Sequence, residues 1–492
     1  MVEEYGHFIN GEWLNNQNKK QFETINPATG ELLARFPLGT REDVHLAIKS
    51  AREAFSQWRK TPAPERGEII LKAAQLMEKR KNELGKLVTI EMGKVIKEGL
   101  GDVQESIDFL KYISGEGRRL FGETTPSELK DKFCMTVRQP KGVIACITPW
   151  NFPMAIPIWK IGAALICGNT IVFKPASYTP LCAAKLVEIF HEVGLPNGVL
   201  NMVTGSGSVV GNEIVNNPEI KSISFTGSVE TGIDIYKKGA ERLVHVHLEL
   251  GGKNPIIVMN DANLDLALEG VLWGAFGTAG QRCTAASRLI IHREVYNKFL
   301  DMLLNRIEKF RVGNPLDNDI DMGPVVSSEQ EKKVLEYIEI GKKENGQLRF
   351  GGRKLTGNGY DKGYYIAPTI FETQHGTKIS KEEIFGPVLA VLKAENFDEA
   401  IHIANDVEYG LSSSIYTNDI NLSFKAIELL ETGITYINAP TIGAEVHLPF
   451  GGIKHTGNGS REAGSTAIDE FSEIKTVFID YSGRLQKAQK ID

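Results

Sequence analysis

The sequence predicts an α/β protein built around a doubly wound parallel sheet. Three observations predict it. Between residues 142 and 250, short apolar runs alternate with helical segments. Turns rich in Gly, Ser, Thr and Pro fall just after those runs. Apolar residues make up 42% of the chain and charged residues 24%, ordinary values for a soluble globular protein. Strands that alternate with helices pair in parallel, because each helix carries the chain back across a sheet face. At roughly 100–200 residues per domain, 492 residues suggest two to four domains.

The first 140 residues read mostly as helices after a short start. Val44, Ile48, Ala51, Phe55 and Trp58 recur at helical spacing and give one apolar face. Helical runs follow at 64–93 and 97–120, the first weakened by Gly85 and Gly93. Phe133–Arg138 alternates like a strand. Strand candidates then come at Val143–Thr148, Thr170–Phe173, Val199–Val203, Ile223–Phe225 and Val244–Leu248. Helices at 157–167, 179–193, 208–216 and 229–239 separate them. Thr148-Pro149-Trp150-Asn151, Lys174-Pro175-Ala176-Ser177, Gly205-Ser206-Gly207 and Thr226-Gly227-Ser228 follow four of these strands. In open α/β sheets ligands bind outside the carboxyl ends of the strands, so these turns should line one crevice. A second α/β region follows: Ile256–Met259, a helix near 264–277, Arg288–Ile291 and a helix near 294–311. Residues 312–370 read as loop-rich, 439–464 as small residues with Gly and Pro, and Asp469–Asp480 as strand-like.

Charge and cysteine usage narrow the function. Lys and Arg number 56 against 62 Asp and Glu, a net charge of −6, which argues against a nucleic-acid partner. The five cysteines, at 134, 146, 167, 182 and 283, form no CxxC and are odd in number. That pattern predicts neither a disulfide framework nor a zinc site, and it suggests a reducing, cytoplasmic compartment. No HExxH occurs among the ten histidines, and no metal is expected. The first residues lack the charge and apolar pattern of a signal peptide. The longest apolar stretch, Gly142–Phe173, carries three prolines and Lys160, so no membrane partner is expected.

Four positions stand out chemically. Cys283, in Gly280-Gln281-Arg282-Cys283, lies in a loop between a helix and a strand. It is a candidate nucleophile, or one more small buried hydrophobe. Cys146, Cys167 and Cys182 sit in apolar contexts and read as core. Glu249 closes an apolar strand before Leu250-Gly251-Gly252. It reads as a carboxylate facing a cleft with base character, or as a surface residue at a strand end. The amide of Asn151 suits an oxyanion, or a turn. Gly205, Gly207 and Gly211 open a helix after a strand with GxGxxxG spacing, a phosphate-loop context, and Lys174 at a strand end suits a hydroxyl or phosphate as well as solvent.

Six motifs occur in order: Ile147-Thr148-Pro149-Trp150-Asn151-Phe152-Pro153, Phe225-Thr226-Gly227-Ser228, Glu249-Leu250-Gly251-Gly252-Lys253, Gly280–Cys283, Glu382-Glu383-Ile384-Phe385-Gly386-Pro387 and Pro449–Lys454. Through them nearly the whole chain resembles the aldehyde dehydrogenase superfamily. Asn438–Thr441, Gly443–Glu445 and Lys454–Gly457 look most like the antiquitin-type branch, which oxidises α-aminoadipic semialdehyde. The resemblance implies a Rossmann-like cofactor domain from 1–120 and 141–250 and an α/β catalytic domain from 251–465. A small β oligomerisation element from 121–140 and 466–492 would build a homodimer or homotetramer.

The same resemblance implies roles. Cys283 attacks the aldehyde, Asn151 and the Cys283 N–H hold the oxyanion, and Glu249 activates the water that hydrolyses the thioester. Lys160 and Glu462 relay protons from Glu249. Glu383 and Phe385 hold the nicotinamide end of the cofactor and Lys174 the adenosine ribose. Ser228, Gly207 and Gly211 border the pyrophosphate. Ile147, Thr148, Pro149, Trp150, Ala176, Ser177, Phe225, Thr226, Gly227, Leu250 and Gly251 complete the cofactor site.

Two departures qualify the likeness. Ser177 stands where many NAD-preferring members carry Glu, so NADP is expected to be usable beside NAD. Gly457–Glu462 holds one residue more than the usual spacing, which puts the relay role of Glu462 in question. The expected reaction is hydrolytic oxidation of an aldehyde, a semialdehyde by the branch likeness. The rivals are a coenzyme-A-acylating relative, which typically lacks the glutamate, and a non-catalytic scaffold of the same fold. Arg282 and the loops near 107–112 and 440–446 are candidate substrate contacts, Arg282 being equally open to a structural reading.

Overall fold

Strands buried on both faces need apolar side chains in succession, and Val143–Ile147 and Thr170–Lys174 are buried at every position. The computed structural model, which describes residues 2–15, 20–344 and 346–487, places them at the centre of a seven-stranded sheet. With Leu200–Met202, Ile220–Thr226 and His245–Glu249 they form five parallel strands. Their spatial order is third, second, first, fourth, fifth. The hairpin His7–Ile9 and Glu12–Leu14 extends this sheet antiparallel beyond Leu200–Met202. The order reverses between Val143–Ile147 and Ile220–Thr226, where a doubly wound sheet opens a crevice at its carboxyl edge.

A second seven-stranded sheet carries the other half. Its order is Gln347–Phe350, Thr369–Glu372, Val388–Ala394, Ala286–His292, Asn254–Val258, Ser412–Tyr416, Ile434–Ile437. All neighbours are parallel except the first pair. Arg288 on Ala286–His292 is fully buried and donates to the carbonyls of Lys253, Ile403 and Ala404. It therefore ties this strand to the chain entering Asn254–Val258 and to the helix Phe397–Asn405. A third sheet joins Thr124–Pro126, Lys132–Pro140 and Ser472–Asp480, the last two antiparallel from Ser472 opposite Pro140 to Asp480 opposite Lys132. No helix among the described residues is long and apolar enough to cross a membrane.

The structure differs from the sequence reading in five places. The short start holds five strands of two to six residues, too brief to show a period. The run 64–93 breaks at Arg80, within the charged stretch Glu78–Lys81, into helices Ala63–Lys79 and Lys81–Met92. Gly93, at φ +93°, caps the second, while Gly85 lies inside it. The run 97–120 is helix Ile96–Ser114 followed by a 3-10 turn, Gly115–Arg118. The glycine loop opens as a π turn, Gly207–Gly211, before the short helix Asn212–Asn216. The loop-rich stretch 312–370 contains helix Ser328–Lys343, which buries only Val334, Ile338 and Gly341 and so shows little apolar face.

Replacing Arg288 with Met leaves three buried carbonyls without their donor. We expect a loss of about 3 kcal/mol, at roughly 1–3 kcal/mol for each unsatisfied group with partial relaxation. It should appear as a lower urea midpoint with an unchanged slope. An unchanged midpoint would contradict this account of how the second sheet is held.

Candidate active site

Cys283 is held in place by unusual backbone. Thr278 and Ala279 both take φ +53° and Gly280 takes φ +68°, a turn that non-glycine residues enter at a cost of about 1–3 kcal/mol each. Side chains brace the turn. The Thr278 N–H donates to Glu98, and Arg282 donates to both Thr278 Oγ1 and Glu98. The Val326 N–H donates to Gln281. On the far side, Asn254 Nδ2 donates to the carbonyls of Cys283 (2.7 Å) and Ala285 (2.9 Å). Gly252 lets the chain pass close by, since a Cβ there would lie 2.5 Å from the Cys283 carbonyl oxygen.

Cys283 lines two cavities. The smaller, about 170 Å³, is walled by Pro149, Trp150, Asn151, Gly227, Ser228, Gly251, Glu383 and Phe385. The larger, about 340 Å³, is walled by Glu249, Glu462, Phe152, Trp159, Phe450 and Arg282, with Glu98, Asp102 and Glu105. Ile156, Thr226 and Leu250 border both. The first cavity lies at the reversal point of the strand order, as the turn chemistry predicts. A thiol at such a junction can reach a molecule in each cavity.

Glu249 is buried, and neither carboxyl oxygen has a hydrogen-bond partner among the described residues. Burial raises its pKa well above the usual carboxylate range; Glu462 raises it further, and Lys160 and Arg461 oppose this. Gly451, at φ +153°, gives it room, since a Cβ there would sit 2.6 Å from Glu249 Oε1. Lys160 is fully buried and bonds both Ser224 Oγ (2.9 Å) and Glu462 Oε1. The chain before Arg461 turns at Gly459, φ +95°. Reciprocal backbone bonds between Phe450 and Glu462 keep Glu462 on Lys160. Burial, with Glu249 and Glu383 nearby, pushes the Cys283 thiol up to about 12.

The other predicted cofactor residues follow the same sheet edge outside the smaller cavity's wall. Ile147 and Phe225 are buried strand-end residues, and Thr148 Oγ1 has no partner among the described residues. Lys174 is buried, which lowers its pKa to about 8, and among the described residues its ammonium donates to the Pro175 carbonyl alone. Gly211 faces the Lys174 side chain, Ser177 Oγ donates to the Gly205 carbonyl, and Ala176 lies between the two strand-end groups, half-buried. Gly207 has open space around it. Ser228 caps helix Val229–Ala240, leaving that helix's first N–H groups beside the cavity. Glu383 Oε1 accepts the Gly252 N–H (2.9 Å), and a Cβ on Gly251 would meet Glu383 Oε2 at 2.4 Å.

Sequence reasoning missed part of both walls. Gln330 and Lys333 border the smaller cavity from the polar helix Ser328–Lys343. Gln330 also donates to the carbonyl of Phe385, which sits at φ +60°. The Ser327 cap on the Gln330 N–H was the one legible signal of that helix. The expected substrate contact at 107–112 is corrected. Ile107, Phe109, Leu110 and Ile113 turn into the core, and the wall comes from Glu98, Gly101, Asp102 and Glu105, one helical face nearer the N-terminus. Gly443 and Ala444 do contribute from 440–446. Elsewhere His375, His402 and Asp406 lie together with metal-ligand chemistry, but the Lys381 ammonium already sits 2.5 Å from Asp406 Oδ2.

Comparison with known proteins agrees with this geometry. A profile of the aldehyde dehydrogenase family matches residues 13–477. The chain is 44% identical over 478 residues to alpha-ketoglutaric semialdehyde dehydrogenase of Bacillus subtilis, covering 96% of this chain and 98% of that protein. It is 45% identical over 472 residues to 2,5-dioxopentanoate dehydrogenase of Saccharolobus solfataricus, covering 95% and 98%. The solved structure of betaine aldehyde dehydrogenase from Staphylococcus aureus in complex with NAD+ matches with a TM-score of 0.95 at 34% identity, covering 98% of this chain and 95% of that one.

The raised thiol pKa gives a test in the protein without ligands. Below its pKa, the thiolate fraction rises tenfold for each pH unit. Carbamidomethylation of Cys283 by iodoacetamide, followed by peptide mass, should therefore rise about tenfold per unit from pH 7 to 9 without a plateau. A plateau near neutral pH would show a thiol already ionised at rest.

Proposed function

We propose, for a chain that belongs to the aldehyde dehydrogenase family and oxidises an aldehyde to a carboxylic acid with NAD(P), that Cys283 is the nucleophile and Glu249 the base of a hydrolytic cycle. The observation that carries this reading is the position of Cys283 at the junction of the two cavities. The smaller cavity and the strand edge beyond it suit the dinucleotide. Asn151 Oδ1, Thr148 Oγ1 and Thr226 Oγ1 are buried without partners among the described residues, and Gly251 brings the backbone against Glu383. Glu383 and Phe385 would hold the nicotinamide end, Ser228 and the adjoining helix N-terminus the pyrophosphate, and Lys174 the ribose. When bound, the nicotinamide supplies the hydride acceptor.

The chain's own residues do the rest. As the Cys283 sulfur bonds to the aldehyde carbon its S–H bond breaks and the proton passes to water in the larger cavity, and the carbonyl oxygen becomes an oxyanion facing Asn151 and the Cys283 N–H. After the carbon has lost its hydride, a thioester remains on Cys283. Water enters from the larger cavity, Glu249 takes one of its protons, the new C–O bond forms and the C–S bond breaks. The acid leaves, and the departing sulfur takes the proton from Glu249, so the thiol and the carboxylate both return. An unpartnered Glu249 beside Cys283 supports hydrolysis over transfer to coenzyme A.

For the substrate we infer an anionic semialdehyde, α-ketoglutaric semialdehyde first. The names of two relatives at 44% and 45% identity support it, and Arg282 offers a guanidinium beside Cys283. The acidic group Glu98, Asp102 and Glu105 keeps α-aminoadipic semialdehyde as a second reading, because its ammonium would meet those carboxylates. The division into cofactor, catalytic and oligomerisation units is also proposed. Exposed Phe133, Ile474, Phe478 and Ile479 on the third sheet support self-association into a homodimer or homotetramer. Five free thiols support a reducing, cytoplasmic setting.

Three outcomes follow. Cys283→Ser should lose several orders of magnitude in turnover while still binding cofactor in a fluorescence titration. Arg282→Gln loosens the turn that holds Cys283 and should lower turnover with every aldehyde, but it should raise KM for the semialdehyde by about tenfold more than for propanal, roughly one charged hydrogen bond; an equal change in KM with both aldehydes would leave Arg282 as a brace only. Ser177 carries no charge to repel a 2′-phosphate, so both NAD and NADP should support activity. Ser177→Glu should shift the ratio of kcat/KM values toward NAD by about 1–3 kcal/mol. An unchanged ratio would place selection elsewhere.

A further inference from the structure

An amide that receives an oxyanion must be held still before the charge arrives. Asn151 is buried, yet its Oδ1 has no partner among the described residues. No bond through that oxygen orients the amide, so its placement falls to the chain beside it. Phe152 follows directly, and its carbonyl accepts the Ile156 N–H at the start of helix Ala155–Ile166. Met154 gives this helix no side-chain cap, so its first N–H groups need acceptors from elsewhere.

Helix Ile96–Ser114 supplies one. Asp102 Oδ1 accepts the Ala155 N–H at 2.7 Å, and Asp102 Oδ2 accepts from the Lys94 ammonium at 3.1 Å. Neither side chain of this ion pair is exposed to water. The same ammonium lies 3.7 Å from the centroid of the Phe152 ring, a cation–π contact strengthened by its desolvation. Burial lowers the Lys94 pKa, while Asp102 beside it supports the ammonium. The segment that carries Asn151 is thus gripped at the Phe152 ring and again at Ala155. Two charges taken out of water are a costly way to fill a core, since an apolar pair of similar volume is often as stable. What this pair contributes is the geometry it fixes.

Glu98 stands one turn before Asp102 on the same helix and serves the other half of the site. It accepts the Thr278 N–H and pairs with Arg282, in the turn that presents Cys283. Residues four apart share a helical face. One face therefore meets both the Asn151 segment and the Cys283 turn.

We infer that Lys94 and Asp102 are positioning residues of the oxyanion amide. Acting through the Phe152 ring and the Ala155 N–H, they fix where Asn151 stands relative to the turn that Glu98 holds. The inference rests on Asn151 receiving the oxyanion, and it names what places that amide.

The test reads two rates. One is pre-steady-state NADH formation from saturating propanal and NAD; propanal is uncharged, so a lost charge beside the cavity does not alter its attraction. The other is alkylation of Cys283 by iodoacetamide, followed by peptide mass. Alkylation displaces iodide and builds no oxyanion, so it reports the thiol without the amide. Lys94→Met/Asp102→Asn exchanges the ion pair for a neutral pair that keeps an acceptor for the Ala155 N–H. It should slow NADH formation about tenfold, against about a hundredfold or more for Asn151→Ala, with alkylation unchanged. Added to Asn151→Ala, the same pair should cost less than about twofold further, because the amide it places is gone. A full rate of NADH formation in the pair variant, with Asn151→Ala slow, would overturn the positioning role alone. The full loss repeated on top of Asn151→Ala, or alkylation falling together with NADH formation, would make the pair a support of the fold at large and overturn it too. A full rate in Asn151→Ala would instead overturn the oxyanion reading. Should the pair variant not fold, Phe152→Leu takes its place with the same outcomes, since it removes the ring from Lys94 and leaves the ion pair standing.

Discussion

One buried amide side chain sets the geometry on which the site depends. Asn254, almost inaccessible to water, donates to the carbonyls of Cys283 and Ala285 and accepts the Ser412 N–H at 3.0 Å. It stands at the first residue of Asn254–Val258, a central strand of the second sheet. Cys283 therefore moves with that sheet. Asn151 and Glu249 end strands of the first sheet or follow them. The four residues between Glu249 and Asn254 cross from one sheet to the other, and Gly251 and Gly252 are where the crossing is tightest. The reacting groups meet because that short link cannot lengthen. The strained turn Thr278–Gly280 is tolerated because Glu98, Arg282 and Asn254 fix it from both sides.

The same compactness governs the electrostatics. Cys283, Glu249 and Glu383 are packed into one poorly solvated region, and burial is the largest cause of the upward shift in each. The resting site thus favours the neutral thiol and the neutral acid. Lys160, the buried cation behind Glu249, is taken by Glu462 and Ser224.

Much of this was legible in the sequence because it rests on local chemistry. The five parallel strands announced themselves as short apolar runs between helical segments, and Thr148–Asn151 and Thr226–Ser228 marked the carboxyl edge through their turn residues. Cys283 and Glu249 were ambiguous singly; the order of six motifs removed the ambiguity, and the fold shows both on one cavity. What stayed hidden had long-range causes. The face of Ile96–Ser114 that meets the cavity is decided by packing of its C-terminal half, which a helical period alone cannot choose. Helix Ser328–Lys343 buries too little to show a stripe, so Gln330 and Lys333 escaped notice. The tie between Lys160 and Glu462 spans 302 positions of sequence, and no spacing rule reaches that far.

The central claim is that Cys283 carries the acyl group between the two cavities. Acid quenching during steady-state oxidation of α-ketoglutaric semialdehyde with NAD, followed by trypsin digestion and peptide mass analysis, tests it most directly. The account predicts an added acyl mass, larger than the hydrogen it replaces by the oxidised substrate, on the peptide Cys283–Arg288. An acyl mass on a peptide bearing Cys134, Cys146, Cys167 or Cys182, or turnover with no acylated cysteine at all, would contradict it.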